Sequence, residues 1–97
     1  MSYKSFKIED FEFDGEKYIS PKIQFENDKA AVQIRTLGAG EITVMRSLSG
    51  KESDFIAVPN FAEYINGFDE FTILNAIRGT FFKITCSAEF EYINMLV

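Results

Sequence analysis

The chain has 97 residues, 46% of them hydrophobic, with 11 Phe and 4 Tyr, no His, one Cys and a formal net charge of -5. That apolar share builds a core in one domain without disulfide or metal support, and it argues against intrinsic disorder. The acidic balance, with Lys and Arg spread along the whole length, argues against nucleic acid as a partner, because phosphate binding needs a clustered basic face.

Other broad classes fall away for related reasons. Without His, the commonest general base and the commonest metal ligand are missing. The lone Cys86 cannot close an internal disulfide, so folding in a cytoplasm is expected. The opening "MSYKSFKIED" has no apolar stretch of signal-peptide length, and no run approaches the span of a bilayer. No leader and no membrane partner are expected.

In chain order, "SFKIE" puts Phe6 and Ile8 on one side. "EDFEFDGEKYIS" (Glu9 to Ser20) then packs five carboxylates into the eight residues from Glu9 to Glu16. A calcium loop starting at Asp10 would place its glycine correctly at Gly15, but its closing bidentate Glu would fall on Pro21. The hairpin reading fits better. With Asp14-Gly15 as a two-residue turn, Phe11 lies opposite Tyr18, Glu12 opposite Lys17 and Asp10 opposite Ile19. Further on, "KIQFE" points Ile23 and Phe25 inward and Lys22, Gln24 and Glu26 outward. "AVQIRT" does the same with Val32 and Ile34 against Gln33 and Arg35, and "EITVMR" pairs Ile42 with Val44. Period-two alternation over short runs marks half-buried strands. Turn signals at Asn27-Asp28, Gly38 to Gly40, Ser49-Gly50 and Gly79 separate them.

"GAGE" at Gly38 carries two glycines of a dinucleotide fingerprint, but Thr43 stands where the third belongs. "SGKES" has Gly50-Lys51, but Glu52 replaces the Ser or Thr of a phosphate-binding loop and Met45 its first glycine. Both read as hairpin turns. "PNFAEYINGF" breaks the alternation. Asn60 suits a cap, Glu63 completes a capping box and Gly67 suits the position past the end, which predicts a short helix over 61–66. "FTILN" sets Phe71 and Ile73 against Leu74. "TFFKITC" puts Phe82, Ile84 and Cys86 on one side and Phe81 on the other. Many short strands with such turns predict an all-β fold, an antiparallel β-sandwich of immunoglobulin-like or jelly-roll-like kind. It would have seven to nine strands and the one helix, in a single domain over 1–97.

No catalytic constellation emerges. Cys86 and the serines have no His to activate them, and the acids fall mostly on outward strand positions. No catalytic residue, metal or cofactor is expected. The surplus of apolar residues on both faces of the late strands asks for a cover. Either the helix at Phe61 packs over one sheet, or Phe81, Ile93, Met95 and Val97 form a contact with another subunit or partner.

The half from Glu41 to Val97, through "VMRSLSGKESDFIAVPN", "ILNAIRGTFFKITCSAE" and "YINMLV", resembles small β-sandwich virion proteins of tailed phages, of the auxiliary capsid or head-decoration type found in crAss-like phages. The resemblance implies a non-enzymatic capsid decoration protein, folded in the host cytoplasm and located in the virion. Its partners would be other virion or capsid proteins, and it could form a homo-oligomer. Two other readings stay open from the residues. One is a ligand-binding or carbohydrate-binding module using the aromatic side chains. The other is an acidic regulatory or inhibitory protein that meets a basic partner through the N-terminal hairpin.

Overall fold

The computed structural model describes residues 2–74 and 76–97; Asn75, which ends the "FTILN" run, lies outside them. In chain order the strands are β1 (Tyr3–Phe6), β2 (Glu12–Phe13), β3 (Tyr18–Ile19), β4 (Ile23–Gln24), β5 (Ala30–Ser47), β6 (Ile56–Ala57), β7 (Glu63–Ile73), β8 (Phe81–Cys86) and β9 (Phe90–Leu96). One-turn 3-10 helices lie at Ile8–Asp10 and Glu52–Asp54. All the strand pairs are antiparallel. The all-β expectation holds, and among the described residues nine strands form one curled sheet.

The 18-residue β5 organises that sheet. Along one edge its first part pairs with β9 (Ala31 with Leu96 through Arg35 with Tyr92), and its second part pairs with β8 (Ile42 with Cys86 through Ser47 with Phe81). Along the other edge it pairs with β7 and then β6. The edge passes from β9 to β8 at the turn 87–89, where Ser87 N–H donates to the Glu41 carbonyl at 3.1 Å and Leu37 N–H to the Glu89 carbonyl at 2.8 Å. Register shifts after Arg35 on both edges mark a bulged bend in β5, and bulges bend a strand and increase its twist. The result is two half-sheets that share one strand. One half runs β1-β9-β5-β7. The other runs β2-β3-β8-β5-β6, with β4 also on β8.

The halves close over a single core cluster. The residues read as inward-facing from alternation, Ile23, Phe25, Val32, Ile34, Ile42, Val44, Phe82, Ile84 and Cys86, are all buried. Phe25 and Phe82 stack with ring centroids 4.0 Å apart, and Phe11 meets Phe90 edge-on at 4.9 Å. Losing such a ring costs about 3–5 kcal/mol, a large part of a typical domain stability of roughly 5–15 kcal/mol. Backbone bonds tie the open ends together. Phe25 N–H donates to the Thr80 carbonyl at 2.9 Å, Glu26 N–H to the Val97 carbonyl at 3.0 Å, and Val58 N–H to the Val44 carbonyl at 2.8 Å.

Three expectations are corrected. The helix over 61–66 is absent; from Glu63 that segment is β7, with Ile65, Phe71 and Ile73 buried and Tyr64, Asn66, Phe68 and Leu74 exposed. Apolar alternation is weak there, but the long β5 edge supplies the backbone partners that a six-residue helix would lack. Gly67 (φ 96°) sits at the bend rather than at a helix end, and its N–H donates to Thr36 Oγ1 at 2.9 Å. Gly38 to Gly40 is no turn either, since the strand runs through it. Gly40 is required for room: a Cβ there would lie 2.5 Å from the Ala88 Cβ and 3.0 Å from its backbone N. The N-terminal hairpin is shifted by two residues, pairing Phe13 with Tyr18 and Glu12 with Ile19. The Asp14 carboxylate accepts the N–H groups of Glu16 and Lys17, each at 2.8 Å, and builds a longer turn. Those bonds hold its carboxyl below the usual range. The turn at Gly50 (φ 81°) stands as read, with the Phe81 ring packed where a side chain would go.

Two outcomes follow from this packing. Gly40→Ala is expected to lower stability by about 1–3 kcal/mol in thermal or urea unfolding, because the Ala88 backbone cannot step aside cheaply. Ala88→Gly in the same chain should return part of the loss, and an unchanged midpoint would contradict the close approach. Cys86 is buried, its S–H donating to the Ala88 carbonyl at 3.2 Å, and burial pushes its pKa up from the ordinary 9.0. The folded chain therefore holds the thiol proton more tightly than the unfolded chain. That contribution is complete below pH 9.0 and is lost as pH rises through the folded value. A thiol reagent at pH 8 should react slowly with the native chain and quickly in denaturant; equal rates would contradict the burial.

Candidate functional site

Of the four residues proposed for a contact, Ile93, Met95 and Val97 are buried in the chain's own core. They are not available to a partner in the folded protein, which corrects that expectation. Phe81 is half-buried, its ring against Gly50 and beneath the Lys22 ammonium, 5.3 Å from the ring centre. The structure does not bring the four together on a surface. The other side of β9 holds what the sequence reasoning missed. Tyr92, Asn94 and Leu96 point away from the core, as the same alternation implies once one face is assigned inward.

These residues belong to a four-stranded outer face, formed by β7, the first part of β5, β9 and β1. The registers set out its rows. Thr72, Ala31, Leu96 and Tyr3 stand side by side; then Glu70, Gln33, Asn94 and Ser5; then Phe68, Arg35 and Tyr92. The middle row is polar and internally bonded. Gln33 Nε2 donates to Glu70 Oε1 at 3.1 Å, and the Ser5 hydroxyl donates to Asn94 Oδ1 at 2.6 Å. The rows on either side are largely apolar, with Tyr3 65%, Phe68 62% and Leu96 40% exposed. A shallow depression of about 160 Å³ lies between Tyr3, Ala31, Gln33, Asn94 and Leu96. Arg35 reaches Glu91 at 3.3 Å, an exposed pair that adds little stability. At the far end of β7, Tyr64 is hydrogen-bonded to Glu41, whose carboxylate pushes the phenol pKa up.

The outer face of the second half is different, because part of it is covered. Lys83 forms an ion pair with Glu52 and lies 4.8 Å from the centre of the Phe55 ring, so the segment 52–55 folds across β8. The Glu52 carboxyl is held below its usual range by that lysine. Beside it the hydroxyls of Thr43 and Thr85 bond to one another across the strands, and Thr85 is buried. The chain thus lays its own segment over part of one outer face, at Lys83, while Tyr3, Phe68 and Leu96 stand exposed on the other.

A cleft of about 430 Å³ opens near Phe25, Val44, Arg46, Val58, Phe61 and Ile73. The acids Glu9, Asp10, Glu12, Asp14 and Glu16 are all exposed. Among the described residues no group of His, Cys, Asp and Glu is arranged to hold a metal ion. No helix there is long and apolar enough to cross a membrane. The one thiol is enclosed.

No family model matches the chain, and no curated protein matches it. Among solved structures the chain is similar to the Drosophila melanogaster CENP-C cupin domain, at 17% identity and a TM-score of 0.46, over 97% of this chain and 56% of that one.

Proposed function

We propose that the chain is a non-enzymatic virion structural protein, a capsid decoration or auxiliary protein that binds other virion proteins through the open outer face of β7, β5, β9 and β1. The observation that carries the binding half of this reading is the contrast between the two outer faces. Residues 52–55 cover part of one, over Lys83, while Tyr3, Phe68 and Leu96 are exposed on the other. Exposed apolar rows on either side of an internally bonded polar row make a mixed face of the kind found at protein contacts, which as a whole are about as apolar as other protein surface. The virion setting rests on the resemblance of residues 41–97 to head-decoration proteins. A lattice also suits a modest face, since contacts that are weak singly become firm when linked copies bind a repeated surface.

A second reading uses the same face. The exposed rings of Tyr3, Tyr64 and Phe68 are also stacking surfaces for sugars.

Density-gradient fractionation of the source lysate with mass spectrometry separates these readings. The chain should travel in many copies with large nucleic-acid-containing particles. Leu96→Lys and Phe68→Lys should release it to the light fractions while leaving a native circular dichroism spectrum, since neither side chain is in the core. A wild-type chain confined to the light fractions would overturn the virion reading, and saturable glycan binding by that chain would favour the second.

A further inference from the structure

The sheet has several free edges, and they are not alike. β2, β4 and β6 are two residues long, and β1 is four residues long. β1 carries Lys4, β4 follows Pro21 and Lys22, and Pro59 comes soon after β6. Short strands, lysines and prolines are the usual means of keeping an edge from pairing with other chains. β7 has none of these. It is 11 residues long, pairs among the described residues with β5 alone, and contains no Pro, Lys or Arg. Its exposed side chains include Tyr64 and Phe68.

We propose that the free edge of β7 is a docking site for an extended basic segment of another protein, which joins the sheet as an added strand. Charge selects the occupant. β7 carries Glu63, Asp69 and Glu70 and no cation. A second copy pairing antiparallel about a two-fold axis sets carboxylates opposite or diagonally adjacent in every register from one centred on Ile65 to one centred on Phe71. Like charges so placed destabilise a pair of strands. A strand with Lys or Arg opposite those three positions turns the same groups into attractions, while its backbone supplies the affinity. The spacing asks for two adjacent basic residues, facing Asp69 and Glu70, and a third facing Glu63. At present the Glu70 N–H donates to Asp69 Oδ1 at 2.8 Å. A basic residue opposite Asp69 draws that carboxylate away and releases the amide for the incoming strand. This edge borders the proposed outer face, but the inference does not depend on a virion setting.

The test uses the full chain, labelled with 15N, and an 11-residue capped peptide matched to β7, of alternating Thr and Val with Lys at positions 4, 5 and 11. Antiparallel pairing brings those lysines opposite Glu70, Asp69 and Glu63. Saturable amide shifts should map to residues 63–73, and hydrogen exchange there should slow in the complex. Affinity should fall as salt rises. It should also fall about tenfold in the chain bearing Glu63→Gln, Asp69→Asn and Glu70→Gln, as roughly three exposed pairs of a few tenths of a kcal/mol each would give. The wild-type salt dependence keeps the test decisive if that variant does not fold. The proposal is overturned by no saturable shift at millimolar peptide or by shifts centred on the acidic residues 9–16. Equal binding of the peptide with Glu in place of Lys overturns it too, as does self-association of the chain through β7.

Discussion

The structure depends on the bend in β5. An 18-residue strand that stayed straight would give one flat sheet with no interior. Because it bends between Arg35 and Ile42, its two parts face each other, and the residues that alternate inward along it, Val32 and Ile34 on one side and Ile42 and Val44 on the other, line the same core. The bend is possible because β5 carries extra residues there relative to β7 and because Gly40 leaves space for Ala88. Each neighbour follows from that: β8 ends and β9 begins at the bend, and the short turn between them crosses the corner.

The same bend produces the asymmetry on which the functional reading rests. Each half-sheet has an outer face, and a chain of this length has material to cover one of them. Residues 52–55, between β5 and β6, lie over β8 through Lys83, Glu52 and Phe55. The face over β7, β5, β9 and β1 leaves Tyr3, Phe68 and Leu96 exposed. Its alternation of apolar and polar rows resembles a contact surface, with hydrogen-bonded Gln33, Glu70, Ser5 and Asn94 in the middle. The single thiol is enclosed, and the carboxylates of Glu9, Asp10, Glu12, Asp14 and Glu16 are exposed.

Much of the fold was legible because period two is a local property. Ile23 and Phe25, Val32 and Ile34, and Phe82 and Ile84 could be placed inward from their own short runs. What could not be read was set by distant partners. The helix over 61–66 had suitable capping residues, but an edge 20 to 30 residues away in sequence was waiting for a strand. Glycines at 38 and 40 look like a turn, yet one of them is small because of Ala88. The contact residues were misplaced for a related reason. Ile93, Met95 and Val97 were expected at a contact, but which way they face depends on where β9 pairs, and β9 pairs with β5 with those three in the core. The open face therefore fell on their neighbours, Tyr92, Asn94 and Leu96.

The central claim is that one bent strand holds both halves as a single cooperative unit. Native-state hydrogen exchange read at the amides of β5 tests it most directly. The account predicts that the slowest amides of 30–36 and of 42–47 exchange through the same opening, with the same free energy, equal to that of global unfolding. If one set exchanged through a separate opening several kcal/mol easier than the other, the halves would be independent, and the account would be contradicted.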